Sequence, residues 1–573
     1  MVRLVDLVSA ALFPVSIIAQ STTYVNPAVP TGTLIPGTYT GPLRPQVHFS
    51  PPKGFMNDPN GMFMDANGTW HLYYQYNPTG VVAGNQHWGH ATSTDLYHWV
   101  NQPIALFPPE ETVYVFSGSA VVDVNNTSGF FPDQDNGVVA MFTLARYYEN
   151  GTAGPQTQNI AYSRDGGYTF QYHEENPVID SASSQFRDPK VFRYQDRWVV
   201  AVAYAQEFVI GLWTSPDLKN WTFASNFSRH GLLGAQYECP NLVQMPVRDA
   251  NGTVTDEKFV LAISIQPGAP LGGSITEYFI GDFNRTHFTP LDAATRLTDF
   301  AKDNYAAQFF SGIPGSQNQV NIGWASNWQY AQQVPTGDLE GWRSTMTAPR
   351  TKYLKEAPRI GLVMVEEPYD LFPVLDTQLH SSTPESGTNI ALDYSSVESG
   401  ALYLDVNVTN INTTQLTAYS TLNISLASPA SGEILQSGFY FGGDNPFFIS
   451  RGGIRGFDNI FFTDKFSTAD VYTNNGSGDL ASWSLRAVID RSIFEVFVDR
   501  GIHAGTVVFY PTQPLTALNV AANLPEGAHV SVDIWSLKSA WAEFEDEQGT
   551  VLGNVTSSGD STSRNMFYKS SFY

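Results

Sequence analysis

No long stretch of this chain holds the 3.6-residue period of an amphipathic helix, whereas short runs of β-branched and aromatic residues recur throughout it. Trp70 to Tyr76, Arg197 to Ala203 and Lys258 to Ser264 are three such runs, each bounded by turn residues. A strand cannot satisfy its own backbone N–H and C=O groups, so a chain built this way must fold into sheets. The fold class expected is all-β. A repeat narrows it further. Ser93-Thr94-Asp95-Leu96-Tyr97-His98-Trp99 resembles Ser215-Pro216-Asp217-Leu218-Lys219-Asn220-Trp221. Ser163 to Phe170 is a looser copy, and Gly281-Asp282-Phe283-Asn284 with Phe288 is looser still. In each, an Asp that can cap a polar turn precedes an aromatic residue that starts the next strand. The aspartates fall at 95, 165, 217 and 282, a spacing too uneven for a solenoid. It suits propeller blades of four strands joined by long loops.

At 573 residues the chain exceeds what one hydrophobic core usually serves, so two domains are expected. Residues 20–44, rich in Pro, Thr and Gly, read as an extended lead-in, and the propeller reads from 45 to 370. Glu367-Pro368-Tyr369-Asp370 leads into Ser381-Ser382-Thr383-Pro384-Glu385-Ser386-Gly387, which places a linker at 371–392. Short alternating strands resume after it, as in Ile493 to Val498 before the turn Asp499-Arg500-Gly501. Residues 393–573 therefore read as a β-sandwich.

The N-terminus has the form of a signal peptide over residues 1–19: Arg3, a mostly apolar run interrupted by Asp6, and a small residue at Ala19. Asn-x-Ser/Thr sequons begin at Asn67, Asn125, Asn126, Asn150, Asn220, Asn226, Asn251, Asn284, Asn407, Asn412, Asn423, Asn475 and Asn554. Together they predict a secreted glycoprotein, extracellular or associated with the cell wall. Cys239 is the sole cysteine, so stability must come from large cores and not from intrachain disulfides. A net charge of −24 repels phosphate backbones, which argues against a nucleic-acid partner. After the leader no stretch is apolar for long enough to span a bilayer, so no membrane partner is expected. The 11 histidines show no paired ligand spacing and no phosphate-cradling Gly loop is evident; neither metal nor cofactor is expected.

Three carboxylates stand apart from ordinary solvated surface. Asp58 lies in Phe55-Met56-Asn57-Asp58-Pro59-Asn60-Gly61, Asp188 in Phe186-Arg187-Asp188-Pro189, and Glu238 in Tyr237-Glu238-Cys239-Pro240. Each has Pro close by to stiffen its loop, and each has apolar or aromatic neighbours. Glycoside hydrolysis needs two carboxylates flanking the scissile bond. Composition and spacing carry the argument no further.

The run His48-Phe49-Ser50-Pro51-Pro52-Lys53-Gly54 continuing through Gly61 resembles the signature of glycoside hydrolase family 32, which holds invertases, inulinases, levanases and fructosyltransferases. The likeness continues in order through Tyr74 to Pro78, Trp88 to Ala91, Phe116 to Ser119, Arg187 to Pro189, Glu238 to Pro240 and Asn327-Trp328. It is greatest to the fungal invertases. Asp490 to Phe497 resembles a motif of the family's second domain.

The resemblance implies a five-bladed β-propeller followed by a β-sandwich, and hydrolysis of terminal β-D-fructofuranosides in sucrose and short fructans, with retention. It makes Asp58 the nucleophile, Glu238 the acid and then the base, and Asp188 a fixed carboxylate beside the ring hydroxyls. It assigns Asn57, Asn60, Gln75, Phe116, Ser117, Arg187 and Trp328 to substrate binding, with Arg187 orienting substrate and carboxylates. The neighbours Tyr237, Cys239 and Pro240 offer a charge little solvation, which favours the protonated form an acid needs. Asp58 must stay ionised and should receive hydrogen bonds, for which backbone N–H groups of its loop are the expected donors. A tryptophan found in many family members after the Gln-Tyr-Asn-Pro segment is missing: the stretch reads Val81-Val82-Ala83-Gly84. This bears on the grip on substrate and on the balance between water and sugar acceptors. Fructosyl transfer to a sugar and exo-inulinase activity stand as alternatives. The second domain is read either as structural or as a homodimer surface.

Overall fold

The computed structural model describes residues 24–357, 360–383, 385, 387–442, 446–469, 473–474, 480–545 and 551–555; the leader and the sequon at Asn475 lie outside them. The described chain is built from strands, with one helix of five residues, Thr336–Glu340, and two single turns of 3₁₀ helix. No helix among the described residues is long and apolar enough to cross a membrane.

Residues 54–368 form four sheets, of five, four, four and ten strands, antiparallel except for short parallel pairings. Five of their strands, the leading strands, each open a run of antiparallel strands, called a group below: Gly54–Met64, Val113–Val122, Phe186–Tyr194, Tyr237–Arg248 and Tyr305–Phe309. Each leading strand packs against the next, and the fifth packs against the first, so the five form a circuit around one axis. A short parallel pairing of Val247 and Arg248 with Leu354 and Lys355 joins the fourth and fifth groups into a single sheet.

The recurring Asp turn lies between the third and fourth strands of a group. Ser93, Ser163 and Ser215 each end a third strand, and the following Asp side chain accepts backbone N–H groups of its own turn. In the loosest copy Asn284 takes that place, accepting from His287. A repeated local sequence thus marks a repeated structural position.

The second domain is two packed sheets of seven and six strands. Strands such as Ala517–Asn523 alternate buried and exposed positions, and the buried faces meet around Trp483, Phe439 and Phe447. The stretch 371–392, expected as a linker, instead carries two strands. Leu375–Ser381 pairs with His529–Leu537 at one edge of the larger sheet, and Gly387–Asp393 pairs with Ala517–Asn523 at one edge of the smaller. The sandwich therefore begins well before residue 393. The chain from Tyr24 to Arg44 is irregular but docked. Tyr39 and Leu43 are buried, and the Arg44 guanidinium lies 4.4 Å from the Tyr39 ring and 4.3 Å from the Trp342 ring.

Candidate active site

All five leading strands carry a bulge near their first residues. Pairing skips Asn57-Asp58 in the first, Phe116-Ser117 in the second, Asp188-Pro189 in the third, Cys239-Pro240 in the fourth and Ala306-Ala307 in the fifth. A bulge re-aims side chains that a regular ladder would send to fixed faces. Here it gathers polar residues at one end of the axis. Asp188 and Cys239 are held at φ of +65° and +44°, conformations that L residues seldom adopt.

The gathered groups bond to one another. Ser117 Oγ donates to Asp58 Oδ2 at 2.6 Å, Asn57 Nδ2 to Oδ1 at 3.2 Å, and Cys239 Sγ lies 3.4 Å from Oδ2. The donors to Asp58 are thus side chains and not the loop N–H groups expected, because the bulge turns its carboxyl toward the neighbouring strands. The backbone donor goes to Asp188 instead, from Cys239 N at 3.0 Å. Glu238 takes donors at both oxygens: Arg187 Nε at 3.2 Å and Gln236 Nε2 at 3.0 Å on Oε1, and the Tyr305 hydroxyl at 2.5 Å on Oε2. Its setting is decided by these residues from other strands and loops more than by its chain neighbours. Arg187 is itself fixed by Gln156, Gln185 and Gln236.

Asp58 and Asp188 are nearly enclosed, at 8% and 6% exposure. Burial pushes both carboxyls above the ordinary range, and the nearby Glu238 charge adds to it. The hydrogen bonds from Ser117 and Asn57 oppose this at Asp58, and Arg187 opposes it at Asp188. Burial works against the Arg187 charge, but Glu238 and Asp188 outweigh it and hold the guanidinium firmly ionised.

The remaining expected residues are placed as follows. Gln75 is buried on the second strand of the first group, opposite the Asn57-Asp58 bulge. Phe116 is half-buried beside Ser117, and its carbonyl accepts from Trp88 Nε1. Trp328 is half-buried after the strand Gln319–Ala325, with ring centroids 4.8 Å from Trp324 and 6.1 Å from Phe55. Asn60 is different: it is fully buried below the carboxylates, and its Oδ1 accepts from Gly118 N. The loop without the tryptophan is fastened beside Trp328, for Ala83 packs in the same cluster and its N donates to Gln332. Tyr305 and Gln236 were not read from the sequence. Gln236 directly precedes the Glu238 motif, and that adjacency was its one signal; Tyr305 lies in none of the three carboxylate motifs, and only the fold shows that it reaches Glu238. Among the described residues no group of three or more His, Cys, Asp or Glu is placed to hold a metal.

Buried Asp58 and Asp188 beside a half-buried Glu238 paired to a fixed arginine supply the two carboxylates that hydrolysis of a glycosidic bond requires. Two family models match the chain: "Glycosyl hydrolases family 32 N-terminal domain" over residues 48–364 and "Glycosyl hydrolases family 32 C terminal" over 378–536. The chain belongs to glycoside hydrolase family 32. It is 40% identical to an extracellular exo-inulinase of Meyerozyma guilliermondii, over 82% of this chain and 90% of that protein. It is 36% identical to an invertase of Schizosaccharomyces pombe, over 90% of each. Its fold is similar to that of a fructofuranosidase from Schwanniomyces occidentalis solved with fructose, with a TM-score of 0.79, 35% identity and coverage of 87% and 99%.

Proposed function

We propose that this protein is a secreted, retaining β-fructofuranosidase on a five-bladed propeller, releasing terminal non-reducing fructosyl units from sucrose and short fructans. The observation that carries the reading is the meeting of Asp58, Asp188 and Glu238, from three different leading strands, at one end of one axis. Asp58 attacks the anomeric carbon and forms a fructosyl-enzyme. Glu238 protonates the departing glucosyl oxygen, then takes a proton from the water that releases fructose. The Tyr305 hydroxyl can donate to the Glu238 carboxylate and accept from its acid form, so the contact serves both half-reactions. Asp188 holds ring hydroxyls and offsets positive charge at the anomeric centre. Asn57, Gln75, Ser117, Arg187 and Trp328 shape the pocket. Phe116 forms part of its wall, and Asn60 serves it from below as a support of Gly118.

Secretion is supported by the leader pattern and by the sequons from Asn67 to Asn423, whose asparagines are all exposed or half-buried. The exo-inulinase relative supports action on longer fructans as well. The test is the product profile from sucrose and from inulin across concentration. Equal glucose and fructose from sucrose at every concentration is the expected result. Glucose in excess with kestose accumulating would identify a transferase, and no release of either sugar would overturn the reading.

A further inference from the structure

The circuit of leading strands has a second end. Beneath the carboxylates lies a polar floor. Gln308 Nε2 donates to Gly118 O at 3.0 Å, Gly118 N to Asn60 Oδ1 at 3.2 Å, and Ser119 Oγ to Pro189 O at 2.8 Å. Asn241 Nδ2 closes it on Ala307 O at 3.2 Å. Past this floor the same five strands open onto a cavity of about 560 Å³, within the range of small-molecule sites. Its walls come from the later parts of the leading strands, the strand Arg197–Tyr204, the loop after the second leading strand and the chain after the fifth, with rings from Phe63, Phe192, Trp198, Phe309 and Phe310.

One wall residue does not fit an apolar lining. Lys190, only 5% exposed, extends from the third leading strand two residues beyond Asp188. Its amine donates to a neutral acceptor, Phe309 O at 2.6 Å, and among the described residues no carboxylate is seen to pair with it. Ser311 Oγ, also in the wall, is buried without a partner. Burial alone pulls the amine down to about 7. A buried amine without a counter-charge is costly unless something supplies one. The acidic residues of the wall do not. Asp65 accepts from Thr69 N and Asp123 from Ser128 N in their own turns, while Asp135 is exposed. Arg193, the other cation of the wall, is exposed and lies over the Trp198 ring.

We propose that this cavity is a second binding site, distinct from the sugar pocket, for a small planar aromatic monocarboxylate. The aromatic walls stack its body, the Lys190 ammonium pairs with its carboxylate, and Ser311 Oγ donates to the same group. One amine and one hydroxyl match one carboxylate; a phosphate dianion would find too few donors.

Cinnamate, with neutral cinnamamide as control, tests this on the full-length protein by calorimetry and Trp fluorescence. The expected result is saturable one-to-one binding of cinnamate, unaffected by fructose, with cinnamamide at least tenfold weaker. Lys190→Met keeps the apolar volume and should weaken cinnamate at least tenfold without changing cinnamamide. Should that variant misfold, Ile313→Trp at the half-buried mouth should block both probes. No saturable binding to the wild type, binding displaced by fructose, or binding indifferent to both variants would each overturn the proposal.

Discussion

At the scale of single residues, the site combines groups whose needs conflict. As the proposed nucleophile Asp58 has to be ionised to attack, yet burial and the Glu238 charge push its carboxyl up. Ser117 and Asn57 are the counterweight. Such a residue costs stability in exchange for reactivity. A carboxyl raised above its unfolded value contributes less to stability as pH rises through the raised value. Asp58→Asn should therefore lower kcat by about 10⁴-fold or more while raising Tm at neutral pH. The gain in Tm should shrink as pH is lowered. Steady-state kinetics beside thermal scans at two pH values check both halves, and an Asp58→Asn variant that keeps its activity would remove Asp58 as nucleophile. Tyr305→Phe tests positioning. It deletes one donor to Glu238 and leaves the ring, so kcat should fall by up to about 100-fold with KM for sucrose little changed. A loss confined to KM would place Tyr305 in substrate binding instead.

At the scale of elements, the bulged leading strand is the unit that makes the site, and it tolerates little substitution. Gly118 directly follows the Phe116-Ser117 bulge, and a Cβ there would lie 2.1 Å from Met141 O on the next strand. Gly118→Ala should lower stability by about 1–3 kcal/mol and displace Ser117 from Asp58, with kcat falling in step. Denaturant melts and kinetics on one preparation would show whether the two losses travel together. The same unit explains what the sequence made legible. The Asp turns and the Pro-bounded carboxylates recur because each serves one position in a repeated group, so local pattern reports global place. Tyr305 carries no such mark: it is one of 28 tyrosines, and only the circuit of strands brings it to Glu238. The misread linker has a similar cause. Leu375–Ser381 is an edge strand with no fully buried position, so it lacks the alternation by which strands are recognised.

At the scale of the whole molecule, the two domains are joined by a buried set of charges. Asp490 Oδ2 accepts from the backbone N of Val47 and His48 and lies 2.9 Å from His48 Nδ1. His48 Nε2 lies 2.9 Å from Glu495, which also takes Arg350 Nη2 at 2.5 Å. The motif of the second domain that runs from Asp490 to Phe497 thus grips the residues that open the first domain's signature. All four side chains are at most 1% exposed, so none can fall back on water if a partner is lost. His48→Gln, which removes the charge but keeps a polar side chain, should cost about 3–5 kcal/mol. The pH dependence follows from the same contacts. Burial alone would lower the His48 ring, but its bonds to Asp490 and Glu495 prevail and raise it from 6.5 to about 9. Its contribution is therefore complete below 6.5 and is lost as pH rises through about 9. Burial opposes the Glu495 charge, while Arg350 and His48 outweigh that and bring it from 4.5 to about 2. Its contribution is complete above 4.5 and is lost as pH falls through about 2. The joint should thus be firmest between 4.5 and 6.5, a window set by these two groups. Thermal melts from pH 4 to 10 should show Tm of the wild type falling across the alkaline range. His48→Gln should start lower and lose the part of that decline due to residue 48. A wild-type Tm that is flat from 6.5 to 9, or a variant that declines in parallel with it, would show that the charged histidine is not what holds the domains together.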